Sequence, residues 1–229
     1  MELSIGNGIF QGFNDREGIM LCGYEWGWSK ADQARNSEFQ EPAEGKIEVA
    51  FSCKAQHFGP KANAWRYDKN IKKWFELWGH ALNSDQADGF EKTIVQTNWC
   101  DTQNHHIDGS YERKLLDDEQ IRNFIFHVNE LKPGLILFFG TKLIACLQNE
   151  KVLGKFVDIM GAVAVPLKFV QKDFSGRRFR VGFQDFENCK IISLPHPSSS
   201  RGLSDEYIKL FSPEIGAAIL EVKQAKNIG

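Results

Sequence analysis

The segment His196-Pro197-Ser198-Ser199-Ser200 follows the apolar run Ile191-Ile192-Ser193-Leu194 after a single proline. It sets an imidazole and three hydroxyls at the rim of what reads as a buried strand. A second apolar run, Ile19-Met20-Leu21-Cys22, ends in Gly23-Tyr24-Glu25-Trp26-Gly27 and sets a carboxylate at another rim. Open α/β proteins build their sites at such strand ends. A histidine on one rim and a carboxylate on the other point to hydrolytic chemistry, in which proton donors and acceptors act on a bond that water attacks. Each residue also has a plainer reading: Glu25 as a salt-bridged turn acid, His196 as a loop anchor. Ser198 or Ser199 with His196 offers a different hydrolase, a nucleophile with its base, but neighbours on one turn make that hydrogen bond awkward. Ser198, Ser199 and Ser200, with free backbone N–H groups before a helix near Ser204, suit a phosphate or form an ordinary hydroxyl-rich turn. Cys100, Asp101, His105 and His106 lie close together, but their spacing lacks the paired clips of a zinc site, and they read as a polar loop.

Four short apolar runs supply the strands that position these groups: Ile19–Cys22, Thr93–Asn98, Leu135–Phe139 and Cys189–Leu194. Each is apolar at consecutive positions, so both faces are covered, the pattern of a parallel sheet between helical layers. Helical periodicity runs over Asp68–Leu82 and Asp117–Leu131. Asp117 and Gln120 suggest a capping box for the second of these. Leu143, Ile144 and Leu147 mark a short helix, and Ser212-Pro213-Glu214 opens a last one running to about Lys226. Ala162–Phe186 alternates about Ser175-Gly176 and predicts a hairpin inserted before the last core strand. Its second arm carries Arg177, Arg178 and Arg180, suited to a nucleic-acid backbone or to protecting a sheet edge. The polar stretch from Gly27 to Pro60 reads as a long loop. The expectation is a single domain over residues 1–229: a three-layer α/β/α sandwich with a central, mostly parallel sheet of about four strands plus the inserted hairpin.

Composition narrows the classes. The chain is 42% hydrophobic and 25% charged with net charge −2, so there is no global basic footprint and any nucleic-acid surface must be local. The five cysteines are scattered with no C-x-x-C pattern, which favours reduced thiols. No run is long enough to span a membrane, and the first residues lack a basic region leading into an apolar stretch. An intracellular, cytoplasmic monomer (nucleoid-associated if bacterial) is expected.

Four elements, in order, resemble the uracil-DNA glycosylase superfamily. Gly23-Tyr24-Glu25-Trp26-Gly27 is similar to the turn after its first strand, and Thr97-Asn98 to the Asn-bearing end of its second. Lys132-Pro133-Gly134-Leu135-Ile136-Leu137-Phe138-Phe139-Gly140 is similar to its third strand and following glycine, and His196-Pro197-Ser198 to its His-Pro-Ser loop. The resemblance implies a DNA glycosylase-like protein that hydrolyses the N-glycosidic bond of a deaminated or damaged base flipped out of DNA. It implies a double- or single-stranded DNA partner and no metal or organic cofactor. Glu25 would orient water or offset the sugar cation, and His196 would donate to the departing base. Asn98, with a donor and an acceptor together, would read the base edge. Phe39, Tyr24 and Trp26 would wall it, and Ser198, Ser199, Ser200 and Arg201 would contact the DNA. For these residues too the plainer readings stand: a backbone-bonding Asn98, core aromatics, and Leu203 as the first apolar residue of a helix rather than a wedge. Where the family carries Pro and usually Asp or Asn, this chain has Trp26 and Glu25, and the cysteines of the iron–sulfur branch are missing. A catalytically silent base, nucleotide or single-strand binding module on the same fold is the rival reading.

Overall fold

The computed structural model describes residues 16–27, 51, 60–82, 89–104, 111–174, 179–198 and 200–228. Six strands form the main sheet: β1 (Ile19–Gly23), β2 (Ile94–Asn98), β3 (Leu135–Phe139), β4 (Val163–Val170), β5 (Val181–Phe186) and β6 (Cys189–Leu194). Their spatial order is β2-β1-β3-β6-β5-β4. The first four in that order are mutually parallel; β5 runs antiparallel to β6, and β4 antiparallel to β5. The sheet is therefore mixed and six-stranded, not four strands with a separate hairpin. The predicted hairpin exists, but its second arm also pairs with β6, from Gly182 opposite Ser193 to Phe186 opposite Cys189. Burial of Val181, Gln184 and Phe186 makes β5 an interior strand, while β4 is the exposed edge.

Alternate strand residues feed two cores. Met20, Cys22, Ile136, Phe138 and Ile191 face one side, against Phe124, Val128 and Phe156. Ile19, Leu21, Leu135, Leu137, Phe139 and Ile192 face the other, against Ile71, Trp74, Phe211 and Ile215. The helices divide accordingly. On one face lie α2 (Tyr111–Leu115), α3 (Asp118–Leu131), α4 (Thr141–Leu147) and α5 (Glu150–Met160); on the other, α1 (Arg66–Leu77), α6 (Asp205–Lys209) and α7 (Ser212–Ala225). This is a three-layer α/β/α arrangement.

The local signals at helix ends were partly redirected. Asp117 caps α3 by accepting from Glu119 N at 3.1 Å. Gln120 does not close a box; its Oε1 accepts from Asp101 N at 3.0 Å and so ties α3 to the end of β2. Ser212 is the first residue of α7 rather than its cap, and its hydroxyl donates to Leu77 O at 2.8 Å, joining α7 to α1. Ser204 caps α6, accepting from Tyr207 N. Leu203, just before it, packs on the second core, as a residue leading into a helix does. Among the described residues no helix is long and apolar enough to cross a membrane.

Candidate functional site

The parallel strands end on one edge of the sheet, and four side chains gather there. β3 lies between β1 and β6, so the two rims are not neighbours. Tyr24 spans the gap. Its ring crosses the tip of β3 and lies nearly parallel to the His196 ring, centroids 6.1 Å apart at 14°. Gly140, the residue after β3, permits the crossing. A Cβ there would stand 2.5 Å from the Tyr24 hydroxyl and closer still to its ring, and φ at Gly140 is +155°. Lys142 N, in the first turn of α4, donates to the Tyr24 hydroxyl at 3.2 Å. Burial raises the Tyr24 hydroxyl to about 12, so it stays a neutral phenol.

His196 is held by its own loop. Ser200 N donates to the His196 carbonyl at 3.3 Å, and Asn70 Nδ2 of α1 donates to Pro197 O at 2.6 Å. The Ser198 backbone N–H donates to His196 Nδ1 at 3.2 Å. An amide can only donate, so Nδ1 carries the lone pair and the ring proton sits on Nε2. Burial lowers the imidazole to about 4, which keeps it neutral at pH 7. Nε2–H has no partner among the described residues and is the free donor of the site. Ser198 Oγ also lies 3.2 Å from Nδ1, but it shares that lone pair with the backbone N–H. A base so occupied, and so weakly basic, is poorly suited to activate Ser198 as a nucleophile.

Asn98 ends β2 opposite Gly23 of β1. Its backbone is fixed because Asn123 Nδ2 donates to both Asn98 O (3.3 Å) and Trp99 O (2.9 Å). Its side chain leans over Gly23, where a Cβ would meet Oδ1 at 2.5 Å. The side chain is buried, and Nδ2 has no hydrogen-bond partner among the described residues.

Glu25 turns to the α2 side. Its side chain is 5% exposed and forms an ion pair with Lys114 Nζ, which also lies 5.5 Å over the Tyr111 ring. Thr102 Oγ1 donates to the same oxygen, Oε2, at 2.8 Å, and Oε1 has no partner among the described residues. Tyr111 sets its ring edge-on to Tyr24 at 5.5 Å. Burial first, and the neighbouring Glu25 next, push its hydroxyl far above the ordinary phenol value. Tyr24 thus stands between the His196 side of the site and the Glu25–Lys114 pair.

Phe39, Ser199, His105, His106, Trp28, Arg177 and Arg178 lie outside the described residues, as does the Trp26 side chain; the Trp26 backbone pairs with Gln103 in a short parallel ladder. Ser200 is half-buried and Arg201 exposed beside Gly202, which has φ +81°. Arg180 packs its guanidinium 5.0 Å over the exposed Phe169 ring of β4, on the sheet edge. Cys100 is buried, its thiol pushed up to about 12 by that burial. Among the described residues no three His, Cys, Asp or Glu side chains are placed to hold a metal ion.

Sequence reasoning missed three members of the site. Tyr67, at the start of α1, packs against His196 at 5.4 Å and edge-on to Phe139 at 5.9 Å. Lys114 neutralises Glu25, and Asn70 clamps the His196 loop. Asn70 falls on the helical stretch Asp68–Leu82 and Tyr67 just ahead of it, where an amide and an aromatic look like any surface and core residues.

Fold and site together define an α/β/α protein with a polar, aromatic-walled cluster at the C-terminal ends of its parallel strands. No protein-family model matches the chain, and no curated protein matches it significantly in sequence.

Proposed function

We propose that the protein is a DNA glycosylase-like hydrolase acting on the N-glycosidic bond of a deaminated or damaged base. The observation that carries this reading is the neutral His196 whose only ring proton, on Nε2, has no partner among the described residues, on a ring packed between Tyr24 and Tyr67. Breaking a glycosidic bond leaves negative charge on the departing base, and a fixed neutral donor stabilises that charge without competing for the proton. Asn98 offers a donor and an acceptor to the base edge. Tyr24 holds the imidazole in place and is itself held by Lys142 N. Glu25 would act on the sugar side, with Lys114 and Thr102 fixing one oxygen and leaving the other to accept from water. Ser198, Ser200 and Arg201 would meet the DNA backbone, the last two from the surface beside the His196 loop.

A second reading rests on Glu25. Its carboxylate is buried, ion-paired and placed toward α2, a setting that also fits a purely structural acid. The site would then bind a base, nucleotide or single strand without cleaving it.

Incubation with duplex and single-stranded oligonucleotides, each bearing one deaminated or alkylated base, separates the readings. A hydrolase releases free base, and release falls at least a hundredfold in His196→Ala and Glu25→Ala. Salt-sensitive binding without release from any substrate supports the silent module and refutes the hydrolase.

A further inference from the structure

Tyr67 ends in an unusual position. Its ring is fixed by Phe139 and His196. Its hydroxyl is shut off from solvent and has no hydrogen-bond partner among the described residues. Asn98 Nδ2 is in the same condition. The two side chains converge: a Cβ built on Gly23 would lie 2.5 Å from Asn98 Oδ1 and 3.1 Å from Tyr67 Oη. An orphaned buried hydroxyl or amide costs about 1–3 kcal/mol. Around the same strand ends Glu25 Oε1, Tyr111 Oη and His127 Nε2 also lack partners among the described residues, while other polar groups are satisfied. Trp99 Nε1 donates to Leu115 O at 2.9 Å, and Thr97 Oγ1 pairs with His127 Nδ1 at 2.8 Å. Two buried donors without partners, on side chains that converge over the bare backbone of Gly23, with the His196 ring packed on one of them, mark the place where a ligand supplies the missing acceptors.

We infer that Tyr67 is a base-contacting residue of this site, its hydroxyl donating to a carbonyl oxygen on the same ring that Asn98 reads. The inference rests on the proposed base-binding function and adds a specificity contact to it. Burial raises the Tyr67 hydroxyl well above the ordinary phenol value, so it remains a donor throughout the working pH range. A ring with a carbonyl at that edge satisfies Tyr67. A ring with an amino group there brings donor against donor and leaves the hydroxyl unpaired, which is how a buried polar group rejects the wrong ligand.

Tyr67→Phe tests this, because it keeps the ring contacts and removes only the hydroxyl. The full chain is titrated with free uracil, hypoxanthine, xanthine and cytosine by NMR, and melted without ligand. The expected result is about tenfold weaker binding of the preferred oxo base, the loss of one hydrogen bond. Discrimination against cytosine shrinks by the same factor, and the ligand-free melting temperature is unchanged or higher, since an unsatisfied group has gone. Oxo-base affinity within twofold of wild type overturns the inference and leaves the base-binding reading intact. A clear fall in the ligand-free melting temperature also overturns it, since the hydroxyl then has a structural partner. Wild-type protein that binds none of the four bases overturns inference and reading together.

Discussion

Replacing Gly140 by alanine drives a methyl group into the Tyr24 ring. The new Cβ would sit 2.5 Å from the Tyr24 hydroxyl oxygen and nearer to the ring carbons, and the backbone there has φ +155°, which side-chain-bearing residues rarely adopt. Overpacking of this kind costs about 1–3 kcal/mol, and the backbone strain adds roughly 1 kcal/mol. The total, about 2–4 kcal/mol, lowers the melting temperature by roughly 5–15 °C in a chain of this size. The ring has no room to yield toward Tyr111, which meets it edge-on at 5.5 Å, so it must leave His196. A double-mutant cycle isolates the cause. In a Tyr24→Ala background the methyl meets no ring, and Gly140→Ala costs only the backbone strain, giving a coupling of about 1–3 kcal/mol by urea denaturation. Equal costs in the two backgrounds refute the claim that Gly140 exists to let Tyr24 cross β3.

Acid sensitivity follows from two histidines. Burial lowers His127 and His196 to about 4 from an ordinary 6.5. Between those values the unfolded chain binds protons that the folded chain does not, so stability is full above about pH 6.5 and falls as pH drops toward 4. Each residue withdraws on the order of 3 kcal/mol across that window. Urea midpoints measured from pH 7.5 to 4.5 check this, and a flat profile contradicts it. His127→Gln removes about half of the slope if its buried neutral ring is a source. Glu25→Gln leaves Lys114 without its counter-charge and costs about 2 kcal/mol; an unchanged denaturation midpoint would show the pair to be energetically idle. Trp99→Ala empties a fully buried site stacked 4.0 Å from Phe124 and costs about 3–5 kcal/mol, read from the same curves.

Much of the fold was legible because the core strands are short and carry consecutive apolar residues, few in residues 94–98 (Ile94 and Val95) and more in the others. Residues 19–22, 94–98, 135–139 and 189–194 stand out for the reason they fold: they are covered on both faces. β5 was harder to place. Val181–Phe186 alternates as a hairpin arm should, yet its partner on the far side, β6, follows after only Glu187 and Asn188. That pair carries none of the Asn-Gly or Gly-X chemistry that announces a tight turn. The turn instead leans on the end of α5 and the link to β4, through Asn188 N to Met160 O at 3.0 Å and Glu187 N to Ala162 O at 3.0 Å. α5 itself was not anticipated, although Asn149 caps it and Val152, Phe156 and Met160 share its buried face. At the site, His196, Asn98 and Tyr24 were visible because they stand at strand ends. The identity of their neighbours was not, since Tyr67 reaches His196, and Lys114 reaches Glu25, from helices distant in sequence. Strand order was equally hidden: nothing in residues 135–139 says that β3 separates β1 from β6, and Tyr24 over Gly140 reconnects the two rims.

The central claim is that His196 is a neutral, Nε2-protonated donor. Ring ¹⁵N NMR of the protein through a pH titration reads it directly. The account predicts an unprotonated Nδ1 and a protonated Nε2 at pH 7, with a single protonation step near pH 4. A proton on Nδ1 at pH 7, or a midpoint near 6.5, contradicts it.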